Sequence, residues 1–251
     1  SMAWAGRFPP PPSFTLGSFT SMAITSKTLL ALGRVPRLLL LLTAVSAGQT
    51  ASLALAEPTV AGVAQAHPLF DGESLGDWKP TPFGGEGKVT VADGVLRIDR
   101  GSDLSGITWQ GDFPTQDYEI TLEARRVDGH DFFCGLTFPV ADSHCSLILG
   151  GWGGGVVGLS SIDGNDAANN ATTQVMPFEN GRWYAVRVRV TPERIVCFLD
   201  GKQIVDQPLE GHTLTIRGEV SPSTPLGIAT YATMAEFRHI SWQAAADADQ
   251  P

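Results

Sequence analysis

The chain has 251 residues, of which 43% are hydrophobic and 17% charged, with 28 Gly and 17 Pro. That length suits one sandwich- or barrel-sized domain, and the Gly and Pro counts fit short strands and turns rather than a helical bundle. The formal net charge is −9. Arg7, Lys27, Arg34 and Arg37 are the only charged residues before Glu57, and taking these four from 17 Lys and Arg leaves 13 against 26 Asp and Glu. A field of that sign repels phosphate backbones, which argues against nucleic acid and anionic lipid as partners and leaves neutral ligands such as sugars open.

Residues 1–56 do not read as part of a folded core. Residues 9–12 are four prolines, an extended and unpacked segment. Lys27, Arg34 and Arg37 then form a basic region ahead of an apolar run, 38–45, followed by small residues with candidate cleavage points after Ala47 and Ala56. This is the pattern of a secretory signal peptide. A membrane anchor is the other reading, but a span needs about 20 apolar residues. The expectation is an exported protein, periplasmic or extracellular, with no stable membrane insertion after cleavage.

The rest reads as one all-β domain over 67–243 with a flexible tail over 244–251. Val89 and Val91, then Asp93-Gly94, then Val95, Leu96 and Ile98 predict a hairpin over 88–99, because both turn positions need positive φ. Further strand runs fall at 106–110, 118–127, 132–138, 145–149, 155–160 and 174–178. They continue at 183–191, 195–199, 203–206, 226–231 and 237–243. Turn chemistry separates them: Asp128-Gly129, Pro139, Asp163-Gly164, Asn180-Gly181, Asp200-Gly201 and the prolines at 222 and 225. Tyr184, Val186, Val188 and Val190 alternate with Arg187 and Arg189, the period of a strand with one buried and one wet face. No helical period persists. The expected fold is a two-sheet antiparallel sandwich or jelly roll. Cys134, Cys145 and Cys197 read as buried small hydrophobes; hairpin register sets Cys145 nearer Thr137 than Cys134, which disfavours a disulfide.

Several stretches now carry a family resemblance. Leu69-Phe70-Asp71-Gly72 with Leu75, Asp77 and Trp78, then Gly94-Val95-Leu96, then Gly181-Arg182-Trp183-Tyr184 stand in order. Val196 to Leu199, Asp200-Gly201-Lys202, Leu226-Gly227-Ile228 and Phe237-Arg238-His239-Ile240 follow. Over 67–243 this framework resembles the 3-keto-disaccharide hydrolase family, which implies a concanavalin A-like jelly roll and a sugar substrate. The family's polar signature is not kept. Its Asn-Ser-Gly strand reads Phe133-Cys134-Gly135 here, its Glu-Tyr-Gln-Ile-Leu-Asp strand reads 145–150, and its Gln-Asp-His reads Ala229-Thr230-Tyr231. The chain has instead a motif of its own, over 131–139 and 150–154.

The glycine run at 150–155 precedes no Lys-Ser/Thr and opens no helix, so it is no phosphate loop. Its role is close backbone approach, with Trp152 either over a ligand groove or in the core; an aromatic plane stacks on a sugar's apolar face. Asp163, Asn165, Asp166, Asn169 and Asn170 form a polar loop that suits sugar hydroxyls, a divalent cation or plain turn hydrogen bonds. Asn170-Ala171-Thr172 fits a glycosylation sequon. Arg125-Arg126, Asp128, His130 and Asp131 are the densest charged cluster, and the two arginines point to opposite faces of a strand.

The resemblance implies proton removal alpha to a ketone. A base takes the C2 proton of a 3-keto sugar, a cation steadies the enolate, and the C1 substituent leaves. Glu123 or His130 would be the base, Arg125 the stabiliser, and His144 or Tyr231 the acid. Trp152, Asp131, Asp163, Asn165 and Tyr231 would hold the saccharide. No cofactor is required by the sequence, and a divalent metal stays open. The alternative is a non-catalytic glycan-binding or adhesion domain, since fold does not fix function.

Overall fold

The computed structural model describes residues 65–245. The expected signal peptide with its candidate cleavage points, and the tail from 246, lie outside the described residues. Two antiparallel sheets form the domain. The eight-stranded sheet holds β1 (His67–Pro68), β3 (Val89–Ala92), β4 (Val95–Ile98), β6 (Tyr118–Asp128), β11 (Tyr184–Val190), β12 (Arg194–Leu199), β13 (Lys202–Pro208) and β15 (Met234–Ala244). The seven-stranded sheet holds β2 (Trp78–Pro80), β5 (Leu104–Trp109), β7 (Cys134–Val140), β8 (Ser143–Gly150), β9 (Val156–Ser160), β10 (Gln174–Val175) and β14 (Gly227–Tyr231). Across the first the order is β13-β12-β11-β6-β15-β4-β3, with β1 on β15; across the second it is β10-β9-β8-β7-β14-β5-β2.

The Asp-Gly pairs close these sheets as their chemistry dictates. Asp93 and Gly94 take φ of 53° and 77°, and Asp200 and Gly201 take 50° and 77°. Both are two-residue turns whose twist matches the flanking strands. Pro139 does not break the chain as the sequence suggested; it lies inside β7, opposite His144. The pairing of β7 with β14 stops at Thr137, so no partner strand misses the Pro139 N–H. Strand 174–178 shrinks to Gln174–Val175, while β15 runs on to Ala244, and Ala245 N–H donates to Asp117 O at 2.9 Å.

One core lies between the sheets. From the eight-stranded sheet Leu96, Ile98, Ile120, Leu122, Val188 and Phe237 enter it, all at most 2% exposed. Leu136, Phe138, Leu147, Leu149 and Ile228 meet them from the other sheet. Cys134, Cys145 and Cys197 are unpaired and wholly buried. Cys145 sits opposite Phe138 and Cys134 opposite Leu149, so register keeps them apart. Burial pushes the Cys134 and Cys145 thiols up to about 12 and raises Cys197 as well. Thiolate is the reactive form. The three thiols are expected to stay silent to Ellman's reagent in the native protein and to react together in denaturant; prompt native labelling would show a breached core.

The outward face of the seven-stranded sheet is covered by the chain itself. Thr108, Thr137, Ser146 and Ser160 stand in one cross-strand row, with Gly227 between the first two. All four hydroxyl residues are buried. Segment 213–225 crosses this row: Ser161 and Thr215 exchange backbone hydrogen bonds of 2.7 and 3.1 Å, and Thr108 Oγ1 donates to Pro222 O at 2.9 Å. Gly227 is required there, since a Cβ would meet Ser223 O at 2.5 Å.

Candidate functional site

The open ground lies at one end of the seven-stranded sheet, where β7 begins and β8 and β14 end. Three segments are stitched together there. Tyr231 N–H donates to Phe132 O at 3.1 Å, Phe133 N–H to Leu149 O at 3.2 Å, and Gly153 N–H to Asp131 Oδ2 at 3.1 Å. The first two bonds tie loop 129–133 to β14 and β8. The third ties it to the glycine turn over Gly151–Gly154, in which Trp152 takes the left-handed φ of 50°. Trp152 is half-buried and is not one of the core residues. Phe132 lies 6.0 Å from Tyr231, ring to ring, and Tyr231 Oη donates to Asp103 Oδ1 at 3.1 Å. Burial first, then the Asp103 bond and the Asp103 and Asp131 charges, raise the Tyr231 pKa.

Beside this corner is a cleft of about 460 Å³, lined by Arg126, His130, the glycines 153–155 and residues 175–178. Arg126 is its buried cation, 6% exposed. Its Nε donates to Asn180 Oδ1 at 2.6 Å and its Nη2 to Phe178 O at 2.7 Å. Its Nη1 has only a long 3.4 Å contact to Asp131 O, so donor capacity remains on the cleft side. Gly154 keeps that side open: a Cβ would stand 3.2 Å from Nη1 and 2.8 Å from His130 O, at a φ of +112°. Burial lowers the Arg126 pKa, but guanidinium remains charged at any physiological pH. His130 is exposed on the rim, and Val175, 80% exposed, gives the rim an apolar edge.

The structure thus gathers His130, Asp131 and Trp152, with Tyr231 adjoining, and it supplies Arg126 where the sequence had put Arg125. The alternation Tyr118, Ile120, Leu122, Ala124 carries Arg126 to the inner face of β6. Glu123 and Arg125 project from the other face and reach no part of the cleft. Arg238 Nε donates to Glu123 Oε2 at 2.6 Å, and His239 Nδ1 lies 3.3 Å from Oε1. Burial alone would raise the Glu123 pKa; the hydrogen bonds from Arg238 and His239 outweigh it and bring it down. A carboxylate so occupied is a weak base. Arg125 serves Glu236, whose Oε2 accepts from Arg125 Nε at 2.6 Å while Oε1 accepts from Arg97 Nε at 2.8 Å.

Glu236 is 3% exposed. Burial raises its pKa, and the Arg97 and Arg125 bonds more than reverse this, leaving it lowered. A carboxyl lowered by folding stabilises above its unfolded pKa of about 4.3, and that contribution fades as pH falls through the folded value. Glu236→Gln is therefore expected to cost about 2 kcal/mol at pH 7, less than the ~3–5 of a fully buried pair because both arginines touch solvent. The gap to wild type should close below about pH 4. Thermal melts across pH check both statements, and a constant gap down to pH 3 would contradict them.

His144, Asp163 and Asn165 lie at the far end of the same sheet. Six residue steps along β8 separate His144 from Gly150, about 20 Å of strand. Burial lowers the His144 pKa. Asp163 is spent on the chain: its Oδ1 accepts from Thr213 N–H at 2.8 Å and its Oδ2 meets His212 Nδ1 at 2.7 Å. The Thr213 bond first, then His212, lower its pKa. Asn165 closes a turn on Ile162, its backbone N–H and O bonded there at 2.8 and 2.9 Å. Asp166 Oδ1 accepts from Ala168 N–H and Asn169 Nδ2, and Oδ2 from Arg217. The polar loop is thus built of turn bonds, and among the described residues no three His, Cys, Asp or Glu gather to hold a metal.

Comparison with known proteins agrees with this fold. A Bacillus subtilis protein of unknown function with a galectin-like fold matches at 11% identity and a TM-score of 0.51, over 73% of this chain and 96% of its own. The Crh5 transglycosylase in complex with NAG matches at 12% and 0.50, over 73% and 85%. At such identities the likeness is one of architecture. The carbohydrate binding module CBM66 from Bacillus subtilis follows at 13% and 0.48, over 67% and 96%. No curated protein sequence matches. Among the described residues no helix is long and apolar enough to cross a membrane. The model of the 3-keto-alpha-glucoside-1,2-lyase-like domain covers residues 65–243, from the first described residue into β15. With both sheets inside that span, the chain belongs to the 3-keto-alpha-glucoside-1,2-lyase-like family.

Proposed function

We propose that the domain processes a 3-keto glycoside in the Arg126–His130 cleft, outside the cytoplasm. The observation that carries this reading is the Nη1 of Arg126, buried yet not fully bonded, opening beside His130 through the gap left by Gly154. The reaction resembled by the family needs a base and an electrophile a few ångströms apart. His130 takes the C2 proton, and the electron pair moves onto the ketone oxygen. Arg126 Nη1 holds that developing anion with a charge-assisted hydrogen bond from a guanidinium that is itself buried. Collapse of the enolate expels the C1 oxygen, which takes a proton as it leaves, and water then adds to the enone. The 175–178 rim supplies an apolar edge for the ring, with Trp152 beside the cleft.

A second reading has its own support. The family's polar signature is replaced here by Phe133, Cys134 and Ala229, all buried and mute. A cleft without a competent base would still hold a sugar, and the domain would then be a glycan-binding module. The test is to incubate the full chain with 3-keto glucosides, with and without divalent cation, and to titrate the same sugars and their unoxidised parents by calorimetry. Release of the aglycone supports the lyase reading. Binding without release selects the module, and neither release nor binding overturns both.

A further inference from the structure

We propose that the outer face of the eight-stranded sheet is a docking surface for an acidic polysaccharide whose sugars carry carboxylates. This site is separate from the cleft and does not rest on it. On this face two carboxylates lie low and the arginines that pair with them stand out. The side chains of Glu119 and Glu236 are 4–5% exposed, whereas those of Arg97, Arg125, Arg187 and Arg189, which pair with them, are 29–44% exposed. Each buried carboxylate takes two guanidiniums, so each cluster keeps one positive charge in excess. Arg238 is a fifth exposed guanidinium, paired with Glu123, with His239 beside it.

The guanidiniums are held in place: Nε and Nη2 of Arg97 and of Arg125 lie on Glu236 and those of Arg238 on Glu123, which leaves the Nη1 end of each for a ligand. Arg187 lies 3.8 Å over the Phe198 ring, and Arg125 and Arg238 lie 4.5 and 4.2 Å from Trp183. Guanidiniums fixed by rings and carboxylates lose little freedom when they bind, and their planar edges suit carboxylate geometry. Between the clusters is a shallow pocket of about 300 Å³ that includes Thr121, Glu123, Arg187, Phe198 and His239. His239 takes a left-handed φ of 54° where β15 slips register between Arg238 and Ser241, a bulge that aims its side chain at this face.

The spread and the overall charge select the partner. The arginines sit on β4, β6, β15 and β11, which span three strand spacings, about 14 Å. A lone anion uses one guanidinium; a chain with one charge per ring uses several. Against this stands the acidic excess of the rest of the domain, 26 acidic side chains against 13 basic after residue 56. Duplex DNA, with a charge every ~1.7 Å, is repelled by that field over its whole length. A polyuronate is more sparsely charged and meets it only at this face.

The experiment titrates polygalacturonate into the full chain by calorimetry, beside its methyl ester, poly-glutamate and duplex DNA. The expected result is binding of the free acid alone, weakened at least roughly tenfold by high salt. The double variant Arg187→Gln/Arg238→Gln should bind about tenfold more weakly and leave cleft chemistry untouched. Hydrogen exchange on the wild-type protein gives a readout free of folding artefacts, with new protection expected on β6, β11 and β15. No binding, equal binding of the ester, DNA or poly-glutamate, or protection confined to the cleft would overturn the proposal.

Discussion

Alanine in place of His130 is expected to lower aglycone release from a 3-keto glycoside about 100-fold, the ordinary contribution of a positioned general base. The loss should fall on kcat, because the rim around His130 still binds the ring. Glu123→Gln should stay within about twofold, since Glu123 faces away from the cleft and is held by Arg238. Gly154→Ala should raise KM steeply, for a Cβ there crowds Arg126 Nη1 and the backbone at His130. The decisive comparison is His130→Ala against Glu123→Gln under single-turnover conditions. A Glu123 defect as large as the His130 defect would move the chemistry to the outer face of β6 and remove the proposed mechanism.

A second large effect is expected at Asn170, with no ligand involved. Its Nδ2 donates to Leu159 O, Asp166 O and Asn165 O at 2.7, 2.8 and 3.1 Å, so two hydrogens serve three acceptors. Its Oδ1 accepts from Thr172 N–H and Thr172 Oγ1 at 2.9 and 2.7 Å. Thr172 Oγ1 in turn accepts from Leu159 N–H at 2.9 Å. One amide therefore joins the end of β9 to the whole loop that follows. Asn170→Ala should cost about 3 kcal/mol, with two donated hydrogens and two accepted bonds lost at somewhat under ~1 kcal/mol net each. That is a fall of about 6–12 °C in Tm for a domain of this size. The sequon should also remain unmodified in folded protein, because its acceptor nitrogen is taken. Denaturant titration checks the first statement and mass spectrometry of protein from a glycosylating host the second. A glycosylated native protein, or a loss under 1 kcal/mol, would show that the amide is not the joint described.

The parts of this fold that a sequence can announce are those with local causes. Asp-Gly turns announce themselves because two adjacent positive φ angles exclude most residues. The buried and wet faces of 184–190 follow from simple alternation. The two short strands β1 and β2 have no such period; they exist because β15 and β5 offer free edges far along the chain. The cleft is a mixed case. Alternation from Tyr118 to Ala124, continued one step, places Arg126 inward and was the available signal for the cleft's cation. Glu123 looked like a base until its partners, Arg238 and His239, arrived from more than a hundred residues away. Asn170 likewise reads as a sequon, and only the folded loop shows what its amide holds.

The lateral strands of the two sheets bear on how this protein behaves when concentrated. β10 is two residues long, β2 three and β3 four. Among the described lateral strands only β13, with seven, offers a neighbouring molecule a ladder of any length. It opens on Lys202, carries the exposed Asp206 and closes on Pro208. Charge and proline along such a border discourage strand-by-strand fusion between molecules, the first step toward amyloid-like fibres.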